Sequence, residues 1–386
     1  MTARPVIWYG SGMESDTTVT GRQRVLAALS HEQADRIPVD YWATGEVTDR
    51  LLQHHGVEDT EALLRRLGVD LRYVMGPAFA GEQLRRREDG MTVDHWGVVR
   101  RPMTVEGTDR AGRAWSWSYK HVHEAPLAKM TSVAELEAYP HWPSPDMWDY
   151  SGVRAECQAA RDTGCAVVNG GDRLDRTAQL KPAMYLRGTE QLMSDLLLEP
   201  KLAECMLEHI VAYYLEYNRR VFEAAGDAVD IFFMGDDVGT QSSLWVSPRH
   251  YRQYFKESFR RFNDLAHDHG YRTMYHSCGN VTKLIPDFID CGLDILQSLQ
   301  PAAMDLAALK REYGRDLCFQ GGMDIQQTMP AGTPSEVAAD VRRLAETLGP
   351  GGGYIFGTAH NLLPDVPTDN AVALFEAYRE YGIYGD

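Results

Sequence analysis

The chain has 386 residues, 44% of them hydrophobic and 24% charged, with a formal net charge of -16. That length supports a large core, and the acidic excess excludes a surface built to neutralise phosphates, so no nucleic-acid partner is expected. No apolar run reaches the roughly 18 residues needed to span a bilayer, and six scattered cysteines make no disulfide framework, so a cytoplasmic protein with no membrane partner is expected.

Residues 1–19 are polar and turn-rich and read as a flexible N-terminal arm. Thr20 is placed to cap a helix running to about His31, and Arg36–Trp42 reads as a short strand with Pro38 near its start, where a missing N–H does least harm. A helix over Thr60–Leu67, stopped by Gly68, leads to a strand at Leu71–Val74. Residues 78–145 break the rhythm with charged turns and aromatics, among them Trp96, Trp115, Trp117, Tyr119 and Trp142, and Asp94–Val99 reads as part of a small β excursion, an insertion beside the main fold. The basic stretches at Arg65-Arg66 and Arg85–Arg87 read as solvated faces.

From residue 166 onward the alternation is regular. Strands are expected at Ala166–Asn169, Asp230–Met234, Thr273–Tyr275, Asp294–Leu299, Leu317–Gln320 and Tyr354–Phe356. Helical patterns lie between them: through Leu198, from Pro200 to Phe222, from Pro248, over Val281–Ile289, over Asp305–Tyr313, and over 369–380. Thr333-Pro334-Ser335-Glu336 is a helix start with a hydroxyl cap, proline in the first turn and a glutamate three residues on, and that helix runs to Gly349. Eight strands, each followed by a helix, fit an α/β protein of the (β/α)8 TIM-barrel type, one domain over residues 20–386. No dinucleotide fingerprint supports an open doubly wound sheet, since Gly351–Gly353 precedes a strand.

In such a barrel the residues just after each strand face the mouth. Those positions hold Asp40, Asn169, Asp236, Gln300, Asp324 and the pair His360-Asn361. Carboxylates converging on one mouth need a cation, a proton or a basic partner. His276 and Cys278 are separated by one residue, so extended backbone points both to one side, where an imidazole and a thiolate suit a soft ion such as Zn2+. A packed cysteine beside an ordinary histidine gives the same pattern.

Several long stretches resemble the uroporphyrinogen decarboxylase superfamily, which includes the corrinoid-dependent methyltransferases. They are GRQRVLAALSHEQADRIPVDYW, YLRGTEQLMSDLLLEP, GDDVGTQSSLWVSPRHYRQYF, YHSCGNVTKLIPDFIDCGLDILQSLQP, FQGGMD and GTAHNLLPDVPTDNAVALFEAY. The resemblance implies a (β/α)8 barrel and covers nearly the whole chain. For the methyltransferases it implies zinc held by a His-x-Cys pair, here His276 and Cys278, and by a third ligand whose position falls on His360. The methyltransferases have cysteine at that third position, and the decarboxylases have histidine. The arginine-rich loop of the decarboxylases is missing after the first strand, and Asp70 matches their aspartate only loosely.

The leading expectation is therefore a metal-dependent methyltransferase or demethylase. It would act with a corrinoid protein carrying methylcobalamin, on a small methylated substrate or a thiol or folate acceptor. Asp236 and His360 are its expected catalytic residues, and Asp40, Asn169, Gln241 and Asp324 its expected cofactor contacts. A homodimer is expected from the resemblance alone. The alternatives are a cofactor-free decarboxylase of a small carboxylated or tetrapyrrole substrate, and a non-catalytic binding protein on the same scaffold.

Overall fold

The computed structural model describes residues 19–82, 85–170 and 177–384, so the expected N-terminal arm lies almost wholly outside the described residues. Seven parallel strands form one curled sheet. They are β1 (Leu71–Val74), β2 (Ala166–Asn169), β3 (Ile231–Gly235), β4 (Arg272–His276), β5 (Ile295–Leu299), β6 (Cys318–Met323) and β7 (Tyr354–Thr358). They lie side by side in chain order. Every parallel step is made through a helical crossover, as parallel pairing requires.

The pleat sorts the side chains into two sets. Leu71, Ala166, Val168, Ile231, Phe233, Met274, Ile295, Cys318 and Ile355, drawn from all seven strands, meet in one cluster on the concave side. The alternate residues, among them Val167, Phe232, Met234, Tyr275, Leu296, Phe319 and Phe356, pack outward against the helices. The helix Gly21–Leu29, with a capping box between Thr20 and Gln23, adds Val25, Ala28 and Leu29 to the inner cluster.

The eighth expected strand, Arg36–Trp42, is not a regular strand. It makes isolated parallel bridges to the β7 side at Val39 with Phe356 and at Ala43 with Leu362. Towards β1, Asp70 N–H donates to the Val39 carbonyl at 2.9 Å. Pro38 has no N–H, so the ladder is interrupted there. The half-barrel that results resembles the expected fold, with the segment 38–43 lying between its two edges.

The expected small β excursion is a four-stranded antiparallel sheet, in which Asp94–Val98 is the turn between Thr92–Val93 and the long hairpin Val99–Thr108 and Ala114–Glu124; Asp94 Oδ1 accepts N–H bonds from Trp96 and Val98 there. β6 runs past the expected end at Gln320: Gly321 and Gly322 lie within it, and at Gly322 a Cβ would sit 3.1 Å from Leu344. Two helices not read from the sequence, Gly45–His55 and Val153–Arg161, complete the outer layer.

Candidate metal centre at the strand ends

The inward set of the sheet ends in polar residues. His276 follows Met274 inward, Gln297 follows Ile295, Gln320 follows Cys318, and Tyr73 follows Leu71. His276 is 6% exposed, and its Nδ1 is hydrogen-bonded to Gln297 Oε1 on the neighbouring strand. An amide oxygen can only accept, so Nδ1 carries a proton and Nε2 is the nitrogen turned to the mouth. There Cys278 Sγ lies 3.4 Å from Nε2. The His360 ring, just past β7, is 5.8 Å from that of His276. One ligand atom from each of His276, Cys278 and His360 falls within 4.8 Å of the others. Trp42 stacks on the other side of His276, with ring centroids 5.8 Å apart and planes 29° apart.

The two adjacent carboxylates after β3 have opposite tasks. Asp236 continues the outward set and is buried. It accepts backbone N–H bonds from Gln179, Leu180 and Lys181, at 2.7, 2.5 and 2.7 Å, and so caps the helix Leu180–Arg187. Burial pushes its carboxyl up to about 6, even though those three donors favour the charge. The expected catalytic role of Asp236 therefore has no exposed carboxylate behind it.

Asp237 is the residue that faces the trio. Its Oδ1 lies 3.4 Å from His276 Nε2 and accepts the Cys278 N–H at 3.2 Å. Its Oδ2 is paired with the Lys181 ammonium. Burial opposes its charge, but His276 and Lys181 more than offset that and hold the carboxyl well below the usual carboxylate range. Asp237 was not singled out from the sequence, although the period-2 alternation from Phe233 already points to it.

The other expected contacts are scattered. Asp40 is buried within the curl of the sheet, where its carboxylate accepts from the Tyr73 hydroxyl at 2.6 Å and from Gln320 Nε2. Burial raises its carboxyl to about 6. Asn169 belongs to the outward set with Val167, and its Oδ1 lies beside Gly76. Asp324 accepts N–H bonds from Gln326, Gln327 and Thr328 and fixes the turn after β6. Gln241 accepts from Gln300 Nε2 at 3.2 Å.

Gln241, Gln300, Cys278 and His360 line an open cleft of about 340 Å³, together with Gln326, Ile325, Leu363 and the backbone of Gly239 and Gly279. Among the described residues that line it there is no lysine or arginine.

The sequence profile described as Uroporphyrinogen decarboxylase (URO-D) matches residues 177–381, more than half of the chain. The chain belongs to that family. Its relatives include both chemistries of the family. A uroporphyrinogen decarboxylase of Chlorobium phaeobacteroides is 27% identical over 192 residues, 48% of this chain and 51% of the relative. A methylated-thiol–coenzyme M methyltransferase of Methanosarcina mazei is 26% identical over 204 residues, 53% of this chain and 52% of the relative. The chain thus matches about half the length of these curated relatives. A solved structure, a methyltransferase from Methanosarcina mazei, shares the fold over 94% of this chain and 99% of its own, with a TM-score of 0.64 and 21% identity. No helix among the described residues is long and apolar enough to cross a membrane.

Proposed function

We propose that this member of the uroporphyrinogen decarboxylase family is a zinc-dependent methyltransferase that works with a corrinoid-bearing partner protein, with His276, Cys278 and His360 as metal ligands. The observation that carries the reading is the convergence of those three donors within 4.8 Å, from two separate strand ends, on one cleft. Two imidazoles and one thiolate are a sound zinc donor set, with a fourth position left for substrate. A methyltransferase among the relatives supports the chemistry.

Zinc, when bound, supplies Lewis acidity that lowers the pKa of a thiol or polarises a substrate heteroatom. The chain's own residues do the rest. Gln297 holds the His276 tautomer that leaves Nε2 as the donor. Asp237 adds a negative charge beside the site and, through the Cys278 N–H, fixes the loop that carries the thiolate. Lys181, tied to Asp237, keeps that carboxylate in place. Trp42, stacked on His276 and packed edge-on against Phe233, lines the site with apolar surface. The same reading makes the segment 38–43 the eighth strand of a closed barrel, and residues 20–386 one domain with 78–145 as an insertion at the mouth.

The test is metal content of protein purified without added zinc, together with Cys278→Ser and His360→Ala. Near one zinc per chain is expected, with loss in both variants. Methyl transfer from methylcobalamin to a thiol should follow the metal. Metal-free protein that is active in the presence of a strong chelator would overturn the proposal in favour of a cofactor-free decarboxylase.

A further inference from the structure

The cleft beside the trio carries a chain of amides whose direction is set by the backbone. Gly279 N–H donates to Gln300 Oε1 at 2.9 Å. A backbone N–H can only donate, so the oxygen of the buried Gln300 is fixed on that side and its Nε2 is turned to Gln241. Gln300 Nε2 then donates to Gln241 Oε1 at 3.2 Å. With its oxygen engaged, the exposed Gln241 side chain has its two Nε2 hydrogens left for whatever enters the cleft.

The platform under this chain is stiff. Asn280 N–H donates to the Thr240 carbonyl at 2.7 Å, which clamps the loop after β3 to the loop after β4. Gly279 sits at φ +83°, and a Cβ there would lie 2.5 Å from the Thr240 carbonyl oxygen. Thr240 also closes its own turn, donating through Oγ1 to the Ser243 carbonyl and accepting the Ser243 N–H. The Gln241 backbone is therefore held one residue beyond a fixed contact with the loop that carries Cys278. The cleft offers no described cationic side chain to meet an anion.

We infer that Gln241 is a specificity-determining residue that presents an amide N–H to an uncharged hydrogen-bond acceptor, an ether or carbonyl oxygen, on the small thiol or methylated compound entering the cleft. Gln300 is its positioning residue. The inference rests on the proposed metal site, which supplies the second anchor for the same ligand.

The experiment uses cobalt(II)-loaded protein and two thiols of matched shape, 2-methoxyethanethiol and butanethiol, which differ by an oxygen in place of a methylene. Calorimetry gives each affinity, and the thiolate-to-cobalt absorption band reports ligation separately. The variants are Gln241→Leu, at an exposed position where the fold is not at stake, and Gln300→Glu. The carboxylate of the latter would still accept from Gly279 but could no longer donate to Gln241, which would turn the Gln241 oxygen toward the cleft. The preference for the ether thiol over butanethiol is expected to fall about fivefold in both variants, the scale of one neutral hydrogen bond. A preference unchanged within about twofold, with the cobalt band present, overturns the role of Gln241 and leaves the metal site standing. A Gln241-dependent preference with no cobalt band supports the role and overturns the thiol-ligating metal site. Failure of both thiols to bind overturns both.

Discussion

His276 Nε2 and Cys278 Sγ lie 3.4 Å apart because Gln297, on the next strand, occupies the other nitrogen of the imidazole. Replacing Gln297 by leucine removes the acceptor at a position only 1% exposed. The Nδ1 proton is then stranded in a dry site, and the ring is free to move that proton to Nε2, where it blocks the donor pair. Zinc affinity should drop about 10- to 100-fold, as for loss of a ligand's supporting hydrogen bond. Gln297→Glu keeps the acceptor and should hold affinity near the parent value. Competition with a chromogenic chelator measures both. Equal affinity in all three proteins would show that the ring needs no such support.

The carboxylates at 236 and 237 should separate cleanly by substitution. Asp236→Ala leaves three buried N–H groups at the start of the helix Leu180–Arg187 without an acceptor. A stability loss of about 2–3 kcal/mol is expected from capping and desolvation combined. Asp237→Asn keeps the shape, and its amide oxygen still serves the Cys278 N–H. It should cost little stability and weaken zinc binding instead. Urea unfolding and metal titration on the two variants give the answer. A reversed pattern would return Asp236 to the chemistry.

Much of this could be read from the chain alone, and the exceptions have local causes. The helix Thr60–Leu67 announced itself by Gly68, found in the left-handed conformation, and Thr333 with Glu336 by a capping box that the structure forms in full. The pair His276 and Cys278 followed from spacing, and His360 from family resemblance. The strand around residue 37 is only partly regular: Pro38, with its missing N–H, fits the start of a strand, yet the segment makes isolated bridges at Val39 and Ala43 in place of a continuous ladder. Asp236 was chosen over Asp237 because the helix it caps begins 55 or more residues earlier, a contact that no local pattern reveals. The hairpin was legible but missed: Trp115, Trp117 and Tyr119 alternate at period 2 after a turn closed at Gly112.

Asp40 predicts a pH dependence. Burial raises its carboxyl to about 6, so the native chain holds that proton more tightly than the unfolded chain, where an ordinary aspartate titrates near about 4. Stability from this group is full below the unfolded value and is lost as pH rises from about 4 to about 6. The span corresponds to about 3 kcal/mol at most. Asp40→Asn carries a constant cost from its altered bonds to Tyr73 and Gln320, but no such slope. Denaturant unfolding of the parent should therefore lose ground to Asp40→Asn across that window and run parallel above it. Parallel curves throughout would mean that Asp40 is solvated and titrates normally.

The hairpin Val99–Thr108 and Ala114–Glu124 is tied at both ends to the body that carries the parallel sheet. At its base, Arg100 pairs with Asp94 at 2.7 Å and its guanidinium lies 4.8 Å from the centre of the Tyr185 ring, on the helix that Asp236 caps. At its tip, Arg113 is gripped by the buried Asp109 and donates to the carbonyls of Pro364 and Val366, each at 3.3 Å. Those carbonyls follow His360 and Leu363 in the same loop, and Arg50 donates to both of them as well. Arg113→Ala should release the tip, leaving Asp109 without its charge partner while Arg50 still holds the loop. The expected loss is about 1–2 kcal/mol of local opening free energy, or amide exchange roughly 5- to 30-fold faster at 109–113. Exchange in the strands of the sheet should not change, because the inner cluster does not include the hairpin. Hydrogen exchange read by mass spectrometry resolves the two regions. Faster exchange across the whole chain would make Arg113 a global support, and no change at 109–113 would mean that Asp109 alone, through its bonds to the Ala111 and Arg113 N–H groups, holds the turn.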